Sequence, residues 1–127
     1  LNAQISQDEA KKITRTLKLN PRLIALKISG INIGYERANI FAEGLKANTT
    51  LIRLSLIFNQ IDADGARAIA EALKVNNTLV QLSLQGNQID ADGGRGIAEA
   101  LKVNNTLKQL NLESNRFGEN GTKELAK

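Results

Sequence analysis

Residues 51–78 (LIRLSLIFNQIDADGARAIAEALKVNNT) and 79–106 (LVQLSLQGNQIDADGGRGIAEALKVNNT) are the same 28-residue segment written twice, identical at 22 of 28 positions. Self-similarity at a fixed period between 20 and 50 residues implies a stacked array, because a unit that short cannot bury its apolar face alone. The repeat runs well beyond these two copies. A divergent copy spans 23–50, with Leu23, Leu26, Ile28, Ala42 and Leu45 in register, and 107–127 begins another with Leu110, Leu112, Asn115 and Phe117. Residues 1–22 carry the back half of a unit, in which Ile5, Ala10, Ile13 and Leu17 align with Ile61, Ala66, Ile69 and Leu73. The expected organisation is therefore one domain over 1–127, with partial unit 1–22, units 23–50, 51–78 and 79–106, and partial unit 107–127.

A single unit predicts its own local structure. Leu79, Leu82 and Leu84 give LxxLxL, a short strand that turns Leu82 and Leu84 into a core and Gln81, Ser83 and Gln85 outward. The next fixed residue is an asparagine, Asn59, Asn87 or Asn115, whose buried amide is expected to bond loop backbone that no strand partner reaches. Asp62 and Asp90 stand where a helix N-cap belongs, and Ser6 with Glu9 forms a capping box in the opening half-unit. Ile97, Ala98 and Leu101 then follow helical spacing, and Asn104 or Asn105 is expected to close the helix in a left-handed cap. Strands reached through a helix must run parallel with right-handed crossovers. Helices are wider than strands, so the array bends with its strands inside. The predicted fold is a right-handed β-α solenoid of the α/β class, with a parallel concave sheet and convex helices.

LxxLxLxxNxI followed by an Ala-rich helix ending in EALK, at a 28-residue period, resembles the leucine-rich repeat superfamily and its ribonuclease-inhibitor-like subtype. That subtype also includes the repeat arms of intracellular nucleotide-binding innate-immune receptors and the activating proteins of the Ran GTPase. The resemblance covers essentially the whole chain and implies a horseshoe segment that binds proteins through its concave face and rims. Two departures stand out. Ile31 occupies the asparagine position of unit 23–50, with Asn32 displaced by one, and neither end shows a sealing unit. The expectation is a piece of a longer array, or one completed by self-association through its uncapped ends.

Composition removes most chemistry. The chain has no cysteine and no histidine, which excludes a disulfide scaffold, a thiolate site and the usual general base. No cofactor or metal is expected. The DADG stretches at 62–65 and 90–93 lack the further ligands of a calcium loop and read as helix caps. Three Phe, one Tyr and no Trp make a poor base-stacking platform. The net charge of +4 resolves into helical columns, Lys18, Lys46, Lys74, Lys102 and Lys11, Arg67, Arg95, Lys123, interleaved with Glu43, Glu71 and Glu99. Such columns are a solvated helix face, so no nucleic-acid partner is expected. No apolar run of about 18 residues spans a membrane, and no secretory leader is visible, which favours the cytoplasm. The sequons at Asn48, Asn76 and Asn104 recur at one turn of every unit and are explained by the repeat.

What remains is surface. The concave strip is expected to carry the columns Ala25, Arg53, Gln81, Gln109; Lys27, Ser55, Ser83, Asn111; Ser29, Ile57, Gln85, Glu113; and Gly30, Phe58, Gly86, Ser114. Ile57 and Phe58 interrupt an otherwise polar strip, since the next copy has Gln85 and Gly86, and adjacent apolar side chains are the usual anchors of a protein interface. Partner contact is expected from Arg53, Ile57, Phe58, Gln81, Gln85, Gln109, Asn111 and Glu113. The leading expectation is a non-enzymatic protein-interaction module, part of an innate-immune-type receptor or a host-directed bacterial protein. The alternative is an activating protein of a small GTPase. In the helix that follows Asp90 and ends near Lys102, Gly94 and Gly96 replace Ala66 and Ala68 of the previous copy, which predicts a looser helix.

Overall fold

The computed structural model describes residues 24–29 and 34–117, together with Lys12 and Arg15 at helical positions. The expected capping box at Ser6, the irregular turn at Ile31 and the helix after Phe117 lie outside the described residues. The elements in chain order are β1 (Ala25–Lys27), α1 (Gly34–Ala47), β2 (Arg53–Ser55), α2 (Ala63–Val75), β3 (Gln81–Ser83), α3 (Ala91–Val103) and β4 (Gln109–Asn111). The described strands form one parallel sheet in chain order. Ala25 lies opposite Arg53, Arg53 opposite Gln81 and Gln81 opposite Gln109, so every pairing joins residues 28 apart. The helices stack in the same order, α1 on α2 and α2 on α3. The protein is an α/β solenoid.

The apolar spine follows from the leucine spacing. Leu51, Leu56, Leu79 and Leu84 are fully buried, and Ile69, Leu73 and Ile97 close on them from the helices. Each such side chain contributes roughly 1.5–3 kcal/mol on leaving water. Strands stop after three residues because the chain soon turns out of the sheet. Phe58 (φ 55°), Gly86 (φ 72°) and Ser114 (φ 59°) all adopt the left-handed conformation one residue before the ladder asparagine. That turn swings Asn59 and Asn87 inward, and both are buried. The fourth expected concave column is thus a left-handed turn position. Gly86 suits it because of its backbone, not because solvent asks for a small residue.

The asparagine ladder holds consecutive loops together. Asn87 Oδ1 accepts from the backbone N–H groups of Asn59 (2.9 Å) and Ile61 (3.0 Å). Its Nδ2 donates to the carbonyls of Leu56 (3.0 Å) and Leu84 (2.9 Å). Asn59 and Asn115 repeat the donor bond one unit away on either side, to Ile28 and Leu84. At the helix starts, Asp62 and Asp90 accept from Gly65 N and Gly93 N at 3.0 Å each, as N-caps should.

The helix ends differ from expectation. Asn104 is extended (φ −81°, ψ 127°), as is Asn76 (φ −69°, ψ 131°), and Asn105 is not left-handed either. A second ladder replaces the left-handed cap. Asn76 Oδ1 accepts from Thr78 N (3.0 Å) and Leu79 N (2.8 Å), tightening the turn into the next strand. Its Nδ2 donates to Leu45 O (2.9 Å) and Asn48 O (3.3 Å) of the preceding unit. Asn104 does the same with Leu73 O and Asn76 O. The unsatisfied carbonyls at a helix end therefore find their donor in the following unit, and no left-handed residue is required.

The sheet face as a candidate partner-binding surface

The residues on either side of each strand's inward leucine must point away from the core, and parallel in-register pairing lines these residues into rows. The first row is Ala25, Arg53, Gln81 and Gln109; the second is Lys27, Ser55, Ser83 and Asn111. Together the strands floor a trough of about 520 Å³. Of the residues expected to touch a partner, Arg53, Gln81, Gln109 and Asn111 line it. Arg53 and Gln109 are exposed; Gln81 and Asn111 are half-buried. Lys27, Ser55 and Ser83 line it equally. Their column was legible from the repeat, but their polarity made them look like ordinary solvent-facing residues.

Ile57, Phe58, Gln85 and Glu113 follow the strands and do not line the trough. Ile57 is half-buried, whereas Phe58 remains 54% exposed. The Phe58 ring lies over the backbone of Gly86: a Cβ built on Gly86 would fall onto ring atoms Cδ1 and Cε1. The missing side chain in the next unit is what gives Phe58 its seat. At the far end Asn111 Nδ2 donates to Gln85 Oε1 (3.2 Å), and Asn111 Oδ1 accepts from Glu113 N (3.0 Å). These bonds fix the Asn111 side chain at the end of β4, the last described strand.

The helix side is chemically different. Lys46 pairs with Glu43 (3.2 Å), Lys74 with Glu71 (3.0 Å) and Lys102 with Glu99 (3.1 Å), each across one helical turn. Arg67 pairs with Asp64 and reaches Asp92 of the next helix at 3.9 Å, and Arg95 pairs with Asp92 at 3.2 Å. All are exposed, so each pair is worth at most about 1 kcal/mol. The groove of about 300 Å³ between α2 and α3 is lined by these neutralised charges. The trough presents hydroxyls, carboxamides and two cations above a floor of leucines. Among the described residues no group of three or more His, Cys, Asp or Glu side chains could hold a metal ion, and no helix is long and apolar enough to cross a membrane.

No curated protein sequence matches the chain. A solved structure of the Leiomodin-1 Actin-Binding Site 2 (ABS2) superposes with a TM-score of 0.80 at 28% identity, covering 98% of this chain and 78% of that one. The tropomodulin C-terminal domain of Caenorhabditis elegans superposes with a TM-score of 0.75, covering 95% of this chain and 74% of that one. Its 14% identity makes the likeness one of fold alone. The family model described as Leucine Rich repeat matches residues 47–70, 75–98 and 103–126, each match starting 28 residues after the last. These spans cover more than half of the sequence, and the chain belongs to the leucine-rich repeat family.

Proposed function

We propose that this chain is a non-enzymatic protein-binding module whose partner seats on the sheet face, in the trough across β1 to β4 and against Phe58. The observation that carries this reading is the contrast between the two sides. The helix side spends its charges on itself, whereas the sheet side offers two cations, Lys27 and Arg53, the side chains of Ser55, Gln81 and Gln109 bonded to no described group, and one exposed aromatic. An open trough of this shape encloses no substrate, and its side chains form no catalytic constellation. Arg53, Gln81, Gln109 and Asn111 contact the partner from the floor, and Ile57, Phe58, Gln85 and Glu113 from the strand ends. The chain works in the cytoplasm under this reading.

The test uses three baits: the unaltered domain, Ser83→Trp on the sheet face, and Arg95→Trp on the helix face. A partner bound by the first and third and lost by the second supports the proposal. Loss with Arg95→Trp and retention with Ser83→Trp would reject it.

A finer reading makes the partner actin. It is favoured by the likeness to an actin-binding site that spans 98% of this chain. Cosedimentation with filaments and titration of fluorescent monomers test it; no binding in either assay rejects actin and leaves the module reading standing. Regulation of a small GTPase finds no support in these likenesses, and that alternative rests on the sequence resemblance alone.

A further inference from the structure

We infer that the trough selects an acidic polypeptide segment, oriented with its carboxylates over β1 and β2; this rests on the sheet face being the binding surface. Lys46, Arg67, Lys74, Arg95 and Lys102 on the helices are each paired with a carboxylate. Lys27 and Arg53, the cations of the trough, are exposed and pair with no described carboxylate. Lys108 and Arg116 are likewise unpaired but lie outside the trough.

The placement of the two cations makes them one site. Lys27 stands opposite Ser55 and Arg53 opposite Ala25, so they occupy diagonal positions on adjacent strands. Strand spacing and rise put their backbones roughly 8 Å apart, within reach of two neighbouring carboxylates or of one held between both tips. No acidic residue lines the trough, and its remaining polar side chains are neutral. Around β4, outside the trough, the exposed charges are mixed: Lys108, Glu113 and Arg116. The trough is therefore positive over β1 and β2 and neutral over β3 and β4. Such a field sets the direction of an incoming segment and rejects basic ones, which is where charge contributes most to recognition. Phe58 lies in the same unit as Arg53 and supplies the apolar contact beside the charged one. Two point cations make too short a track for a nucleic-acid backbone, which needs a longer run of them.

The experiment is fluorescence anisotropy with three labelled peptides of equal length that share leucine anchors and differ in carrying Glu, Gln or Lys between them. The Glu peptide should bind at least tenfold tighter than the Lys peptide in low salt, and weaken as salt screens the contact. Lys27→Gln and Arg53→Gln should each weaken it by up to about fivefold, and the double variant by more than that. The helix-face double variant Lys74→Gln/Lys102→Gln removes the same net charge and should leave affinity unchanged. Equal binding of the three peptides, absence of binding by the Glu peptide, or equal loss in the two double variants overturns the inference. Ser83→Trp separates this failure from that of the underlying reading. Peptide binding blocked by Ser83→Trp yet indifferent to Lys27 and Arg53 keeps the sheet face and discards the charge selection, whereas indifference to all three discards both.

Discussion

Replacing Asn87 by alanine isolates the ladder on which the stacking of loops depends. The side chain is buried and its Oδ1 is the acceptor for two backbone N–H groups, those of Asn59 and Ile61. Its Nδ2 serves the carbonyls of Leu56 and Leu84, but Leu84 O also receives Asn115 Nδ2 (2.9 Å) and keeps a donor. The cost is thus set mainly by two orphaned donors, each worth about 1–3 kcal/mol when stranded away from water. Partial entry of water into the space vacated by the amide brings the total to about 3–4 kcal/mol, a large share of a domain's usual 5–15 kcal/mol. Urea unfolding followed by circular dichroism should show that loss, and the melting temperature should fall by about 10–15 °C for a chain of this size. Asn105→Ala, at an exposed turn position, is the control and should change stability by less than about 0.5 kcal/mol. A loss under about 1 kcal/mol for Asn87→Ala would refute the reasoning.

Gly86→Ala should destabilise by about 1–2 kcal/mol for the left-handed backbone alone, with an added cost from collision with the Phe58 ring. In a Phe58→Gly background only the backbone cost should remain, and a double-mutant cycle that came out additive would show that the ring does not rest there. Within α3 two glycines should respond with opposite signs. A Cβ at Gly96 meets Arg67 Cγ at 3.5 Å, ordinary contact, so Gly96→Ala should stabilise by about 0.5–1 kcal/mol. A Cβ at Gly93 would lie 2.7 Å from Ile89 Cγ2 and 3.1 Å from the Ala63 backbone, so Gly93→Ala should destabilise by about 1–3 kcal/mol; chemical denaturation of both variants checks the pair. Amide exchange should be faster in α3 than in α2, which carries alanine at both positions where α3 has Gly94 and Gly96, and equal protection would count against a looser helix.

Much of the fold was legible because each signal is local to one unit. The leucine spacing announced the strands, the aspartates announced the helix starts, and the 28-residue period announced the register later seen between Ala25, Arg53, Gln81 and Gln109. Side-chain placements that depend on the neighbouring unit were less legible. Asn76 and Asn104 looked like turn residues because their donor bonds reach 31 residues back, to carbonyls that only stacking brings near. Phe58 stood out as apolar, but its left-handed backbone and its seat over Gly86 depend on the following unit. Lys27 was placed in its column and yet passed over. Its distinction is the absence of the carboxylate neighbour that the helix lysines have, and side-chain pairing on two different faces cannot be compared along a linear chain.

The most direct measurement of the sheet-face account is hydrogen–deuterium exchange on the domain alone and saturated with a partner retained in the bait experiment. Slowed exchange confined to the segments carrying β1 to β4 and Phe58, with α1 to α3 unchanged, is the predicted result. Protection confined to the helices while the strand segments exchange as before would contradict it.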